Sequence, residues 1–226
     1  MQAFLQNIFL FEHIRFFVYI EVNYTDRSVE SGCIMKNTKQ IIMEAAIKEI
    51  SEKGYIGATM DGIALNAGVA KGTLYYHFKT KEELFNFIVK EGLSLIKQDI
   101  DQAVSKETGI IDKFKKLSFV QLKIIYDNRD FFKVIMSQLW GIELRQTELR
   151  IAVKDYIAYL ESYIKEAISE KIIDVEDSHL LAYTFFGIMT SVTVYELLND
   201  KEFNSIDDAE KIINYTLNGI GIKNPA

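Results

Sequence analysis

The chain contains almost no proline and almost no cysteine. Its one proline, Pro225, lies at the C-terminal end, so long helices are permitted nearly everywhere before it. Its one cysteine, Cys33, excludes an intramolecular disulfide and a cysteine-rich zinc site. A reducing cytoplasm is therefore the simplest expected location, and neither a metal nor another cofactor is expected.

The sequence also lacks an uninterrupted apolar run long enough to cross a membrane. Residues 8–20 are largely apolar, but Glu12 and Arg15 interrupt them, whereas a spanning helix needs about 20 mostly apolar residues. No basic start precedes this stretch, as a signal peptide would require. We expect no membrane contact, and we interpret residues 1–34 either as sequence upstream of a translation start at Met35 or as an accessory arm.

Positive charge is scarce, with 26 Lys and Arg against 32 Asp and Glu and a formal net charge of −6. This balance argues against a nucleic-acid binder that is basic overall. It is compatible with a local patch, because phosphate attraction acts over about 10 Å at ordinary salt. Residues 35–85 carry 7 Lys and 6 acidic residues, whereas residues 86–226 carry 17 basic and 22 acidic ones. The more positive segment is the place to search for a nucleic-acid surface.

Apolar residues recur at helical spacing from Thr38 onward. They fall at every fourth position until Gly54, which predicts where a first helix stops. Thr59 then supplies a good N-cap, since its hydroxyl can accept a hydrogen bond from a free N–H of the first helical turn. A short helix is predicted after it, with one apolar stripe made of Met60, Ile63, Ala64 and Ala67.

A second short helix is predicted from Ala70 to Phe78. Gly68 before it permits a tight turn with positive φ, and two short helices joined by such a turn make a helix-turn-helix candidate. Helical spacing predicts an inward face made of Ala70, Leu74 and Phe78. The opposite arc then faces outward, and its members are Lys71, Gly72, Tyr75 and Tyr76.

The outward arc suits a nucleic-acid surface. Lysine neutralises phosphate, tyrosine hydroxyls bond phosphate oxygens, and Gly72 lets the helix backbone approach a duplex closely. His77 lies to the side, where a ring N–H could reach a phosphate. Other interpretations stay open, because Tyr76 can pack against the next helix and His77 can be purely structural, while Lys79 can be merely solvated.

Thr80 and Glu83 form a T-x-x-E capping box that predicts the start of a further helix. Lys81 falls in the first turn of that helix, where free N–H groups already favour an anion. Lys81 is therefore a candidate for phosphate contact.

The segment ATMDGIALNAGVAKGTLYYHFKTKEEL, residues 58–84, resembles the DNA-binding domain of the TetR family, the tetracycline-repressor-like transcriptional regulators. The resemblance extends over residues 38–84. It implies an all-α fold, with a three-helix helix-turn-helix domain at residues 35–82 and a helical bundle for effector binding and dimerisation at residues 83–226. Two residues depart from the family's pattern: Gly62, which should loosen its helix slightly, and Asn66, from which we expect little effect.

The resemblance also implies the DNA contacts. Base edges are assigned to Lys71, Gly72, Thr73 and Tyr75. Phosphates are assigned to Thr59, Tyr76, His77 and Lys81. The implied partner is a double-stranded operator.

The rest of the sequence predicts further helices with polar joints. They are expected from Thr80 to the stretch 105–109, then at residues 111–126, 131–140, 142–171, 179–199 and 206–218. The last two carry many apolar residues, among them Leu180, Leu181, Phe185, Ile188, Met189, Val192, Tyr195, Ile206, Ala209, Ile213 and Leu217. Burial within the subunit is one interpretation. We favour a homodimer through these two helices, the family's usual arrangement, because two helix-turn-helix motifs related by a two-fold axis recognise a palindrome.

The resemblance implies a small-molecule effector as well, although the sequence hardly describes its site. Side chains that could line a cavity are Phe119, Phe131, Phe132, Met136, Trp140, Tyr159, Tyr163, Phe186 and Met189. They can equally be ordinary core. No charged ligand group stands out, so an apolar or aromatic effector is expected. Its binding would shift the population toward a conformation in which the two DNA-binding motifs of the dimer are badly spaced for the operator.

Signatures of catalysis are missing from the sequence. No H-E-x-x-H, G-x-S-x-G, Walker or dinucleotide-binding motif occurs. The acidic pairs Asp99 with Asp101 and Asp207 with Asp208 lack the spacing of a metal site, and we interpret them as solvated. We therefore expect a DNA-binding repressor that a ligand releases, and no enzyme. The alternative is a protein of the same family without a small ligand, acting through a protein partner or as an activator.

Overall fold

The computed structural model describes residues 37–199 and 211–215, and all regular structure in these ranges is helical. The helices are α1 (Thr38–Gly57), α2 (Met60–Asn66), α3 (Lys71–His77), α4 (Lys81–Val104), α5 (Ile110–Asp127), α6 (Arg129–Gln138), α7 (Leu144–Ser169) and α8 (Ser178–Asn199), and residues 211–215 are also helical. The predicted all-α fold is confirmed. The arm at residues 1–34 and most of the predicted helix at 206–218 lie outside the described residues.

The boundary between the two compact units of the chain falls after Leu84. In the first unit α1 packs on α2, and α2 packs on α3. The apolar stripe predicted on α1 is buried, with Ile42 and Ala46 fully inaccessible. Asn37 caps α1, since its side chain accepts a hydrogen bond from the N–H of Lys39, at 3.1 Å.

Gly54 interrupts α1 as predicted, with a φ of 72° and a ψ of 164°. Because positive φ is strained for residues with a Cβ, this position favours glycine. The helix resumes for one more turn and ends at Gly57, and the N–H of its C-cap Ala58 donates to the carbonyl of Gly54 at 3.0 Å. The break turns the chain toward Thr59, where α2 is capped.

The second unit packs α8 on α5 and α7, and α6 on α5, α7 and α8. The ring of Phe185 on α8 meets Phe114 on α5 edge to face, with 6.1 Å between ring centroids. Asn128 is the joint between α5 and α6, serving as the C-cap of one and the N-cap of the other. The polar joint expected over residues 127–130 is therefore shorter than predicted.

A polar network joins α4 to α7 inside the second unit. Asp101 accepts hydrogen bonds from the hydroxyls of Tyr159 (2.7 Å) and Tyr163 (2.9 Å). The ammonium of Lys97 lies 5.4 Å from the centroid of the Tyr159 ring. Burial is the main cause that raises the pKa of Tyr163 to about 12, so this hydroxyl stays a donor at neutral pH.

Over the part of the chain that the structure describes, no helix is long and apolar enough to cross a membrane.

Candidate nucleic-acid interface

Helix α2 begins as the sequence predicts. Thr59 is its N-cap, and the Thr59 hydroxyl oxygen accepts a hydrogen bond from the N–H of Gly62 at 3.0 Å. The hydroxyl also carries its own proton, so an exposed Thr59 can cap the helix and still donate to a phosphate. Ile63 and Ala64 bury the inner face of α2.

A buried carboxylate explains both departures from the family's pattern. Glu49 on α1 is only 1% exposed, and it accepts hydrogen bonds from Asn66 (2.8 Å) and Lys53 (2.7 Å). A Cβ at Gly62 would lie 2.4 Å from the Oε1 atom of Glu49. Gly62 therefore makes room for the Glu49 carboxylate, and Asn66 supplies one of its donors. Sequence reasoning missed both roles.

The turn after α2 has the conformation that the sequence predicts, with a φ of 65° at Gly68. In helix α3 the side chain of Leu74 is inaccessible to solvent, and the C-cap residue Phe78 is 3% exposed. The prediction that Ala70 also faces inward is wrong, because Ala70 is exposed. It is the N-cap, with a φ of −62° and a ψ of 142°, so the helical spacing does not apply to it.

The outward arc of α3 is exposed. Tyr76 is 77% exposed and Tyr75 37%, while Lys71 and Gly72 are also at the surface. A Cβ at Gly72 would meet nothing within 4 Å, so no neighbour among residues 37–199 and 211–215 explains a glycine there. The packing interpretation of Tyr76 is not supported by this exposure.

The two side-chain rings that end α3 contact each other. His77 is half-buried and meets the ring of Tyr76 edge to face, with 5.2 Å between centroids. Thr73 is half-buried as well. Their assigned contacts to phosphate and base edges stay predictions.

Lys71 forms an ion pair with Asp61 on α2. Its Nζ lies 2.7 Å from Oδ1 of Asp61 and 2.8 Å from Oδ2. The hydrogen bond and the negative charge of Asp61 raise the pKa of Lys71 above its ordinary value. The ammonium of Lys71, on the exposed arc of α3, is therefore held by a neighbouring carboxylate.

Lys81 is committed to the end of α1. Its Nζ donates to the carbonyl oxygens of Tyr55 (2.6 Å) and Ala58 (2.7 Å) and lies 4.6 Å from the centroid of the Tyr55 ring. These carbonyls have no helical partner of their own at a C-terminus, and a cation there is favourable. A phosphate contact by Lys81 stays a prediction, and its structural role was not foreseen.

The capping box before α4 is present with one change. The Thr80 hydroxyl accepts from the N–H of Glu83 at 3.0 Å, as predicted. The Glu83 carboxylate accepts from the N–H of Lys79 at 2.7 Å, one residue before the N–H that the motif usually satisfies. The start of α4 is thereby fixed directly after α3.

The residues predicted to line an effector cavity lie in different environments. Phe131, Phe132 and Met189 are buried, whereas Phe119, Met136 and Phe186 are half-buried. Tyr159 and Tyr163 direct their hydroxyls to Asp101. Trp140 is 82% exposed, so it does not line an interior site of the subunit. The described residues include no cluster of three or more histidine, cysteine or acidic side chains that could hold a metal ion.

Comparison with known proteins agrees with this geometry. The family model described as "Bacterial regulatory proteins, tetR family" matches residues 42–88, which include α2 and α3. The uncharacterized HTH-type transcriptional regulator YhgD of Bacillus subtilis (strain 168) is 31% identical over 160 residues, which cover 66% of this chain and 79% of that protein.

Two solved structures extend the similarity over most of the chain. A Clostridium perfringens protein provisionally named a fatty acid metabolism regulator is 48% identical, with a TM-score of 0.76, and the match covers 81% of this chain and 100% of that one. The regulator FadR from Bacillus subtilis, solved in complex with stearoyl-CoA, has the same fold, with a TM-score of 0.71, 22% identity and coverage of 80% and 98%. The resemblance stated from the sequence is confirmed: the chain belongs to the TetR family of bacterial transcriptional regulators.

Proposed function

We propose that the protein represses transcription by binding a palindromic DNA operator as a homodimer, and that a fatty acyl thioester of coenzyme A releases it. DNA binding is the task of residues 35–82, and effector binding and dimerisation are the tasks of residues 83–226. The supporting observation is the exposed surface of α3, with Lys71, Tyr75 and Tyr76 outward and Leu74 buried behind them. A chromosomal operator would place this activity in the cytoplasm.

Side chains on α3 fit the major groove of a duplex. Base edges are read by Lys71, Gly72, Thr73 and Tyr75, and phosphates are held by Thr59, Tyr76 and His77. Gly72 has open space where a Cβ would be, which permits close approach of the backbone to the duplex. Lysine is a common partner of guanine O6 and N7 in the major groove.

The exposed face of α8 supports the homodimer. Leu180, Tyr183, Val194, Tyr195 and Leu198 are exposed, and they follow one another at helical spacing along one side of α8. The opposite side is buried through Ala182, Phe185 and Met189. Apolar residues on both sides of one helix require a second surface to cover the outer side. A second copy of α8 related by a two-fold axis would supply it.

The effector class is supported by similarity and by composition. The 48% identical Clostridium perfringens protein bears the name of a fatty acid metabolism regulator, and the Bacillus subtilis structure contains stearoyl-CoA. The second unit of this chain buries many apolar and aromatic side chains, a suitable environment for an acyl chain. The sequence led us to expect an apolar or aromatic effector; the acyl chain has that character, whereas the phosphates of coenzyme A are charged.

The DNA-binding proposal is tested by opposite substitutions at one ion pair. An operator is first selected from a random DNA pool, and its affinity is measured by fluorescence anisotropy. Lys71→Ala should weaken operator binding by about 1–3 kcal/mol. Asp61→Asn leaves Lys71 without its competing carboxylate and should strengthen binding to DNA of any sequence by up to about 1 kcal/mol.

Matched controls come from the second unit. Lys115→Ala removes an exposed lysine and Asp112→Asn removes an exposed carboxylate from a similar pair, whose atoms are 4.0 Å apart. Both should leave operator affinity unchanged. Equal affinities for the wild type and the Lys71→Ala variant would contradict the proposed reading surface.

A further inference from the structure

Asp99 on α4 is a buried carboxylate without a partner. The residue is 6% exposed, and neither of its side-chain oxygens receives a hydrogen bond from any residue that the structure describes. The expectation that Asp99 is solvated, like its neighbour Asp101, is therefore wrong. Asp101 is exposed and accepts hydrogen bonds from two tyrosine hydroxyls. Two acidic residues on one helix thus have opposite environments.

The face of α4 that carries Asp99 points into the second unit. Asp99 follows Gly92 by seven residues, so the two lie nearly on one line along the helix. A Cβ at Gly92 would lie 2.4 Å from ring atoms of Phe131 on α6, which shows how closely this line of α4 packs. Burial raises the pKa of Asp99 to about 6, so the group is still mostly ionised at neutral pH.

Two further acceptors without partners among the described residues lie on α5 and at its C-cap in the same unit. The Oε1 atom of Gln121 and the Oδ1 atom of Asn128 are buried and receive no hydrogen bond. Gln121 lies within α5, whereas Asn128 is its C-cap and has a non-helical backbone conformation. The guanidinium of Arg145 in the same unit is bound to Glu143 and Gln138. The unsatisfied side-chain oxygens of α4 and α5 are all suited to accept hydrogen bonds.

A buried acceptor is costly until a donor reaches it. Coenzyme A thioesters carry amide N–H groups and hydroxyls beside the acyl chain, and these are donors. A free fatty acid offers a carboxylate, which at neutral pH has no proton to donate and has the same charge as Asp99. The coenzyme A thioester can therefore donate a hydrogen bond to Asp99, whereas the free fatty acid is repelled by it.

We propose that Asp99 is an effector contact that accepts a hydrogen bond from an amide N–H or hydroxyl of the acyl carrier and repels a free carboxylate. Asp99 thus makes the regulator respond to the coenzyme A thioester and not to the fatty acid. This inference rests on the proposed function, and it adds the residue that selects the chemical form of the effector.

The test measures release of the selected operator from the full chain at pH 7.5. Stearoyl-CoA and stearate are titrated separately, each below its micelle concentration, and coenzyme A alone is a third titrant. The wild type should release DNA at a stearoyl-CoA concentration at least roughly tenfold below that of stearate, the size of effect expected from one hydrogen bond to a charged group. In Asp99→Asn this preference should fall roughly tenfold, since the negative charge is gone.

A second variant and a control keep the result interpretable. Asp99→Leu fills the position with an apolar side chain and should respond to stearoyl-CoA roughly tenfold more weakly than the wild type. Asp112→Asn removes an exposed carboxylate and should behave like the wild type. An unchanged preference in both Asp99 variants, with operator binding intact, overturns the role of Asp99 and leaves the proposed function standing. Failure of both titrants to release the wild type overturns the acyl-CoA effector and this inference together, while operator binding, measured first, still supports the DNA-binding proposal.

Discussion

At the scale of the residue, the helix-turn-helix depends on Glu49, a side chain that sequence patterns do not reveal. The glycine inside α2 and the asparagine at its end both look like weak helix residues when each is taken alone. In the structure they serve one buried carboxylate, since Gly62 leaves space for Glu49 and Asn66 donates to it. Gly62 and Asn66 lower the helix propensity of α2, and this cost is offset because they leave space for, and donate a hydrogen bond to, the buried Glu49 carboxylate.

Substitution of Asn66 tests this arrangement. Asn66→Asp would replace the donor with a second negative charge beside buried Glu49, so the free energy of unfolding should fall by about 2 kcal/mol. Urea denaturation followed by circular dichroism measures it. Gln98→Glu adds the same charge at an exposed position and should change stability by less than about 0.5 kcal/mol. An Asn66→Asp variant as stable as the wild type would argue against a structural role for this hydrogen bond.

Lys81 is the second residue whose role required the structure. Lys81→Met keeps most of the apolar stem but leaves the carbonyls of Tyr55 and Ala58 without their charged donor. We expect a loss of about 1–3 kcal/mol in unfolding free energy. The neighbouring exposed Lys79→Met is the control and should be nearly neutral. If both variants lose equally little, Lys81 is available for phosphate and its capping role is minor.

At the scale of the element, the sequence predicted the helices better than their ends. Apolar spacing and the glycines at 54 and 68 were sufficient to locate α1 to α3, because both glycines adopt the positive φ that their position requires. Ala70 was misplaced since an N-cap does not follow helical angles. Asp99 was misplaced because a carboxylate in an amphipathic pattern is assumed to face water, and the packing of one helix face cannot be read from its own sequence alone.

The exposed apolar side of α8 gives a prediction for assembly. Leu198→Glu places a charge on a residue that is 75% exposed in the isolated subunit, so it should leave the fold intact. A homodimer through this side would bury that charge, and the variant should sediment as a monomer at micromolar concentration. Ser162→Glu adds a charge to an exposed residue of α7 and should sediment like the wild type. Identical sedimentation of the Leu198→Glu variant and the wild type would exclude α8 from the interface.

At the scale of the whole molecule, two carboxylates respond to pH in opposite directions. Hydrogen bonds from Ser178, Lys165 and His179 lower the pKa of Glu161 to about 2, so its stabilising contribution is present above its ordinary value of 4.5 and is lost as the pH falls toward 2. The pKa of Asp99 is raised from 3.8 to about 6. Its buried charge therefore destabilises the fold above pH 6, and protonation removes that cost as the pH falls toward 4.

A comparison of the wild type with Asp99→Asn isolates the second effect. The variant should be more stable than the wild type at pH 8, by on the order of 2 kcal/mol. This advantage should shrink as the pH is lowered from 6 to 4, because the wild-type carboxyl becomes neutral as well. Denaturant midpoints at four pH values measure the difference. A constant difference over this range would mean that Asp99 does not titrate as a buried group.

The ion pair of Lys71 with Asp61 also bears on how quickly an operator is found. A protein searching a chromosome spends most of its time on unrelated sequences, and each unpaired cation increases its affinity for such non-specific DNA and so its residence time there. With a net charge of −6 and Lys71 already paired with Asp61, a regulator that binds DNA in the proposed way would leave random DNA quickly and stop only where base contacts compensate for breaking the ion pair. Fewer copies per cell would then suffice to keep one site occupied.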